Sequence, residues 1–176
     1  MKQQSGFTII ETLVYLALFG LVMTGIIVAA YNMFELSGRT QTTAMLTAEG
    51  NFLLGKINWA MSGVQTICLP IVGTPGSNLV VRKWDTASGD PIRLNLTSGA
   101  ATIQKVPFAP GNTCNTIAGA VYTLNNSVVN VDSLTFDHQG NAGNPEWVMA
   151  TVVLSTKTPN GQTLSQTFTT TKYLRK

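Results

Sequence analysis

An uncharged apolar run near the N-terminus constrains this chain more than any other feature of its sequence. Residues 12–34, a run of 23, contain no Asp, Glu, Lys or Arg. About 20 apolar helical residues cross the hydrocarbon core of a bilayer, so this run predicts a membrane-spanning helix. Glu11 stands just before the run, behind apolar residues at positions 7, 9 and 10. A carboxylate at membrane depth costs about 2.5–3.5 kcal/mol on insertion scales, so Glu11 is expected to have a function and a cationic partner.

The residues before this run form a short polar segment, Met-Lys-Gln-Gln-Ser-Gly, that carries one positive charge and ends at Gly6. Together with the Phe-Thr-Ile-Ile-Glu sequence at 7–11, it resembles the recognition motif of prepilin peptidase. In that motif a basic leader ends in Gly and is followed by Phe-Thr-Leu-Ile-Glu. The sequence departs from it only at Ile9, where Leu is more usual. The chain is therefore similar to type IV pilin-like proteins.

The resemblance implies a set of site residues and partners. It implies cleavage between Gly6 and Phe7 by prepilin peptidase and N-methylation of Phe7. Glu11 would neutralise the Phe7 amine of an adjacent subunit. The other implied partners are pilin or pseudopilin subunits, the cytoplasmic membrane and the assembly platform. The implied location is a single-pass inner-membrane protein before assembly, with Lys2 on the cytoplasmic side, and a cell-surface or periplasmic filament afterwards.

Two other interpretations of the N-terminal segment stay open from the residues alone. A secretory signal peptide could be cut after the small residues at 28–30, although its apolar region would exceed the usual ~7–15 residues and contain Glu11. A plain single-pass anchor explains the length of the run but assigns no role to Gly6 or Glu11.

The helical pattern continues beyond the apolar run. Leu46, Leu53, Ile57, Ala60 and Val64 recur at intervals that place them on one face of a helix. This predicts a helix over 7–62 that ends at Gly63, with an amphipathic second half that packs on the chain's own domain. Leu53, Ile57 and Trp59 are expected in that core.

The remainder of the chain predicts short strands separated by turns. The expected strands are 80–84, 91–96, 102–106, 120–124, 128–131, 134–137, 147–154 and 163–174. The segments 120–124 and 128–131 are expected to form a hairpin, as are the strands that flank Thr158–Gly161. The predicted fold is α+β, with the long N-terminal helix packed on an antiparallel β-sheet domain. The predicted parts are the leader (1–6), the membrane and assembly half of the helix (7–35), its amphipathic half (36–62) and the β-rich domain (63–176).

Charge and cysteine content limit the classes of partner. Charged residues make up 11% of the chain and the formal net charge is +3, without the clustered basic face that nucleic-acid binding normally needs. Nucleic acid is therefore not an expected partner.

Cys68 and Cys114 match no zinc or CxxC spacing. In an exported domain they could form a disulfide that closes a loop of about 45 residues and contributes roughly 4 kcal/mol. The alternative is two separate buried thiols.

Catalytic and metal chemistry find little support in the sequence. His138 is the one histidine, and its surroundings predict a surface loop rather than a catalytic pair with Asp137. Asp137, Asn141 and Asn144 could offer oxygens to Ca²⁺, but the EF-hand spacing and its closing Glu are missing. We expect no enzyme activity, no cofactor, no metal site and no small-molecule substrate.

The sequence thus predicts a structural subunit of a type IV pilus-like filament, similar to a minor pilin. Two alternatives share its motifs or its location. One is a pseudopilin of a type II secretion system, and the other is a DNA-uptake or adhesive module at a pilus tip.

Overall fold

The computed structural model describes residues 8–83, 91–105, 114, 119–140 and 145–174. Within these residues one helix precedes eight strands in two antiparallel sheets. The elements are α1 (Ile9–Ala60), β1 (Val64–Leu69), β2 (Asn78–Lys83), β3 (Ile92–Thr97), β4 (Ala100–Lys105), β5 (Val121–Thr123), β6 (Asn130–Gln139), β7 (Trp147–Lys157) and β8 (Thr163–Tyr173). The predicted α+β class is confirmed, but the single sheet that we expected is two sheets.

The chain divides into two compact units, Met1–Gln41 and Thr42–Lys176. The described part of the first unit is Thr8 and the helix from Ile9 to Gln41, on which the large apolar side chains are exposed. The second unit contains the rest of α1 and all the strands of the described residues. It holds the buried core.

The part of α1 in the second unit buries one face. Its buried residues are Thr42, Leu46, Gly50, Leu53, Ile57 and Ala60. Their spacing of three or four is that of one side of a helix, so the predicted amphipathic half is confirmed. Two expectations are wrong. Trp59 is 50% exposed, because it lies two residues from Ile57 and so points away from the buried face. Val64 belongs to β1, because Gly63 takes φ +66° and ends the helical run.

The five-stranded sheet has the order β1-β2-β3-β4-β5. One row across it pairs Leu79 with Leu94 and Leu94 with Ile103. The predicted hairpin between 120–124 and 128–131 is wrong, because β5 pairs with β4 and β6 lies in the other sheet. The Asn125 side chain explains the difference. Its Oδ1 accepts from the Ala101 N–H at 2.9 Å and its Nδ2 donates to the Val129 carbonyl at 2.7 Å, so these residues form a connection between sheets.

The three-stranded sheet has the order β6-β7-β8. The predicted β7–β8 hairpin is confirmed, and its turn is closed by a 2.8 Å bond from the Thr158 N–H to the Gln162 carbonyl. Backbone groups from the β1–β2 turn bond the outer edge of β6. Gly76 and Phe136 exchange two hydrogen bonds, of 2.9 and 2.8 Å, and the Gly73 N–H donates to the His138 carbonyl at 2.8 Å. These bonds fix the β1–β2 turn on the second sheet.

The core contact between α1 and β8 depends on a glycine. Phe168 is the buried aromatic residue of β8, and its ring lies where a Cβ at Gly50 would be. A glycine in a helix interior costs about 1 kcal/mol relative to alanine. Here it allows the aromatic ring to reach the helix backbone.

Candidate functional site

The N-terminus of α1 has the pattern of a capping box. Thr8 precedes the first helical residue and its Oγ1 accepts from the Glu11 N–H at 3.4 Å, while the Thr8 carbonyl accepts from the same N–H at 3.1 Å. Glu11 is thus the third helical residue of a Thr-x-x-Glu sequence, which has the spacing of a capping box, and the bond from its N–H to Thr8 Oγ1 is the threonine half of that motif. Its negative charge also interacts favourably with the positive end of the helix dipole. The Thr-x-x-Glu spacing of Thr8 and Glu11 is the sequence signal that indicates this role of Thr8.

The predicted cleavage and methylation residues, Gly6 and Phe7, lie outside the described residues. The structure therefore reports only on Glu11 among the three residues of the predicted assembly site. Glu11 lies in the first turn of α1, and the next charged residue along the helix is Glu35. The pairing of Glu11 with a neighbouring amine stays a prediction.

The apolar run is helical throughout its length. Its large side chains are exposed, and α1 is long and apolar enough to cross a membrane by length and composition. Two of its few polar side chains bond within the helix. Thr12 Oγ1 donates to the Ile9 carbonyl at 2.7 Å, and Thr24 Oγ1 donates to the Gly20 carbonyl at 2.8 Å. Such bonds remove the cost of an unpaired hydroxyl in hydrocarbon.

The two cysteines are joined in the second unit. A disulfide links Cys68 of β1 to Cys114, with a Cα–Cα distance of 5.7 Å and a sequence separation of 46. A loop of that length corresponds to roughly 4 kcal/mol in the chain-entropy model.

His138 is not on a surface loop, so that prediction is wrong. It lies on β6 and is 3% exposed. The strand alternates, so His138 shares its face with the buried Leu134 and Phe136. β6 therefore extends to Gln139, beyond the strand expected over 134–137.

The partners of His138 are structural groups. Its Nδ1 is 2.8 Å from the Pro70 carbonyl, and its Nε2 is 2.6 Å from Glu146 Oε1. A carbonyl only accepts, so Nδ1 is the donor in the first bond, and the second bond holds one proton between the imidazole and the carboxyl. His138 thereby links β6 to the β1–β2 turn and to the residue before β7.

Asp137 bonds Gln139 and not His138, with which it would have to pair in a catalytic site. Its Oδ1 accepts from Gln139 Nε2 at 2.8 Å. The other two residues considered for Ca²⁺, Asn141 and Asn144, lie outside the described residues. Among the residues that the structure describes, no group of three or more His, Cys, Asp or Glu side chains is placed to hold a metal ion.

Lys83 at the end of β2 bonds the last turn of α1. Its side chain is buried, and its Nζ donates to the Trp59 carbonyl at 2.7 Å and lies 4.0 Å from the centroid of the Trp59 ring. A cation at this position satisfies a helix-terminal carbonyl and interacts favourably with the negative end of the helix dipole. Lys83 therefore fixes the exposed indole beside the sheet.

Comparison with known proteins identifies the N-terminal segment. Residues 1–27 match the family model described as the prokaryotic N-terminal methylation motif. This is the leader of type IV pilins and pseudopilins, so the resemblance seen in the sequence is confirmed. No curated protein and no solved structure matches the chain.

The N-terminal methylation motif supports several general conclusions about the chain. It supports a type IV pilin- or pseudopilin-like protein, of a family that is structural rather than enzymatic. It implies processing by prepilin peptidase and assembly with other pilins. Together with the long apolar helix, it fits a membrane-anchored pilin.

Proposed function

We propose that this chain is a structural subunit of a type IV pilus-like filament, similar to a minor pilin. The observation that carries the proposal is the leader motif at residues 1–27, which runs into a 52-residue helix that begins at Ile9 and whose apolar first part is exposed. Prepilin peptidase cleaves between Gly6 and Phe7, and the new Phe7 amine is methylated. The helix then passes from the membrane into the filament.

In the assembled filament, Glu11 pairs with the Phe7 amine of an adjacent subunit. Two considerations support this role. A carboxylate near the apolar run is costly in lipid unless it has a partner, and cleavage before Phe7 creates a cation four residues away in sequence. The Thr8-x-x-Glu11 spacing offers a competing explanation of the same residue, namely stabilisation of the helix N-terminus as part of a capping box.

Two substitutions of Glu11 separate these explanations. Gln serves in a capping box but carries no charge, whereas Ala removes both functions. If charge pairing governs assembly, we expect Glu11→Gln and Glu11→Ala both to reduce incorporation into filaments at least tenfold, with unchanged amounts in the membrane. Glu35→Ala, the next carboxylate on the same helix, is the matched control and should assemble normally.

The measurement is an immunoblot of sheared filaments and of membranes, with mass spectrometry of the N-terminus. A mature chain that starts at a methylated Phe7 is the expected species. Normal assembly of Glu11→Gln alongside failure of Glu11→Ala would leave only the capping role. A chain that retains Met1, or one that never enters filaments, would contradict the proposed function itself.

A further inference from the structure

The three-stranded sheet has one face on the core and one open face. Buried and partly exposed residues alternate along β7 from 147 to 154, as expected of a strand with one face on the core. Direct partners in an antiparallel pair lie on the same face. The open face therefore consists of four rows across β6, β7 and β8, from Ser133–Val153–Thr167 to Gln139–Trp147–Tyr173. We call it the threonine face.

One row of the threonine face consists of three threonines. Thr135 pairs with Thr151, and Thr151 pairs with Thr169. The outer two are exposed and Thr151 is partly exposed. Within the described residues, none of these three hydroxyls makes a hydrogen bond. A threonine hydroxyl can donate one hydrogen bond and accept two, so this row has unused capacity for the hydroxyls of a partner.

An aromatic pair lies at one end of the same face. Trp147 of β7 and Tyr173 of β8 are direct partners, and Tyr173 is 62% exposed. The Cβ atoms of direct partners lie about 4.5–5.5 Å apart, so the two rings are neighbours. The face of an aromatic ring is electronegative and attracts the weakly positive C–H groups on the flat side of a sugar ring. Tyr173 is four residues from Thr169 along β8, or about 13 Å, so one oligosaccharide can reach both rows.

The threonine face has little charge. Its four rows, all of described residues, contain no lysine or arginine and one acidic residue, Asp137, which already accepts from Gln139 at 2.8 Å. Lys172 lies on the opposite face, because it pairs with the buried Val148. Nucleic acids and anionic membranes are bound through cationic surfaces. Uncharged hydroxyls beside an aromatic pair instead match a neutral, hydroxylated partner.

We propose that the threonine face binds a neutral extracellular polysaccharide of β-1,4-linked units of the glucose type. In such units the ring substituents are equatorial, so axial C–H groups make the two sides of each ring apolar and the hydroxyls lie at its edge. The flat side of one unit stacks on Trp147 and Tyr173, and the hydroxyls of the units that follow exchange hydrogen bonds with the threonine row. This activity goes beyond the proposed structural subunit, to which it adds attachment to a glycan.

The test measures binding of cellohexaose, a chain of six β-1,4-linked glucose units, to the full-length protein by isothermal titration calorimetry. The protein is kept in lauryldimethylamine oxide, because a detergent with a sugar headgroup would compete for the site. Cellohexaose should bind with a Kd of about 1 mM or lower. Maltohexaose contains the same six units in α-1,4 linkage, which curves the chain, and should bind at least tenfold more weakly.

Two tyrosines offer a matched pair of substitutions. Tyr173 and Tyr122 are both 62% exposed, but Tyr122 lies on β5 of the other sheet. Tyr173→Ala should weaken cellohexaose binding at least tenfold, whereas Tyr122→Ala should leave it unchanged. Tyr173→Trp keeps an aromatic ring at the position and should retain binding, which separates loss of the ring from loss of folding.

A threonine pair tests the hydroxyl row in the same way. Thr151→Val removes the central hydroxyl of the row but keeps the size and the β-branched shape of the side chain, which suits a strand. It should weaken cellohexaose binding at least fivefold. Thr123→Val makes the same change at an exposed position of β5 in the other sheet, and it should leave binding unchanged.

Several results would overturn the proposal. They are the absence of cellohexaose binding, equal binding of maltohexaose, and binding that survives both Tyr173→Ala and Thr151→Val. If the face instead joins copies of this chain, cellohexaose does not bind and Tyr173→Ala changes the sedimentation coefficient of the protein, which also overturns it. None of these measurements depends on incorporation into filaments, so the proposed function stands or fails separately.

Discussion

Two glycines in α1 should respond to alanine in opposite directions. At Gly50 the new Cβ would coincide with the ring of Phe168, whereas at the exposed Gly55 a Cβ meets nothing within 4 Å. Both substitutions gain about 1 kcal/mol of helix propensity. Only Gly50→Ala also displaces a buried aromatic side chain, whose burial contributes about 1.5–3 kcal/mol, and strains a packed core by about 1–3 kcal/mol.

The balance predicts that Gly50→Ala lowers the free energy of unfolding by about 1.5–5 kcal/mol, while Gly55→Ala raises it by up to about 1 kcal/mol. In a chain of this size 1 kcal/mol shifts the melting temperature by about 2–4 °C. Gly50→Ala should therefore melt at least ~3 °C lower than the parent, and Gly55→Ala up to ~4 °C higher. The measurement is thermal unfolding of the full-length chain in detergent, followed by tryptophan fluorescence.

A double substitution tests the assigned cause. Phe168→Leu removes the ring that blocks the Cβ, so Gly50→Ala should cost less in that background, with a coupling energy of about 1 kcal/mol or more. Equal melting temperatures for Gly50→Ala and Gly55→Ala, or strict additivity with Phe168→Leu, would refute the proposed packing of β8 on the helix.

Two further substitutions test buried polar contacts by the same unfolding assay. Lys83→Met keeps the aliphatic stem but loses the charged hydrogen bond to the Trp59 carbonyl, so we expect a loss of about 1.5–3 kcal/mol and a shift in tryptophan emission; an unchanged emission and stability would contradict the contact. His138→Phe leaves the Pro70 carbonyl and the Glu146 carboxyl without their partner and should cost about 2 kcal/mol or more. His138→Gln can keep one of those bonds and should cost less, so a larger loss for Gln than for Phe would be evidence against the network.

The helix and its buried face could be predicted because their signals are local. An uncharged run identifies the first part of α1, and a spacing of three or four identifies the buried face that includes Leu53 and Ile57. The exposure of Trp59 follows from its angular position, which lies about 200° around the helix from Ile57, although large aromatic side chains are usually mostly buried. The end of the helical run depends on the positive φ of Gly63, and a glycine at this position is a sufficient sequence signal for that end.

The division into two sheets could not be predicted from the same kind of signal. Strand pairing depends on contacts between residues distant in sequence, and the Asn125–Asn126 pair has the composition of a hairpin turn. In the structure these amides instead bond backbone groups of Ala101 in β4 and of Val129, the residue before β6. The inward orientation of His138, by contrast, is indicated by the sequence, because its period-two spacing with Leu134 and Phe136 predicts a side chain on the buried face.

The hydrogen bonds that Thr12 and Thr24 make within the apolar helix affect how easily that helix can leave a lipid bilayer. Thr12 and Thr24 give their hydroxyl protons to carbonyls of their own helix, so neither needs a donor or acceptor from lipid, water or a neighbouring chain. A helix that carries its polar partners with it can exchange a bilayer for a packed protein surface without breaking these bonds. In the proposed transfer from the membrane into a filament, the electrostatic cost would fall mainly on Glu11. Under the proposed pairing, the Glu11 carboxylate would be less stable in lipid than beside the cation of a neighbouring subunit, and this difference would favour transfer into the filament.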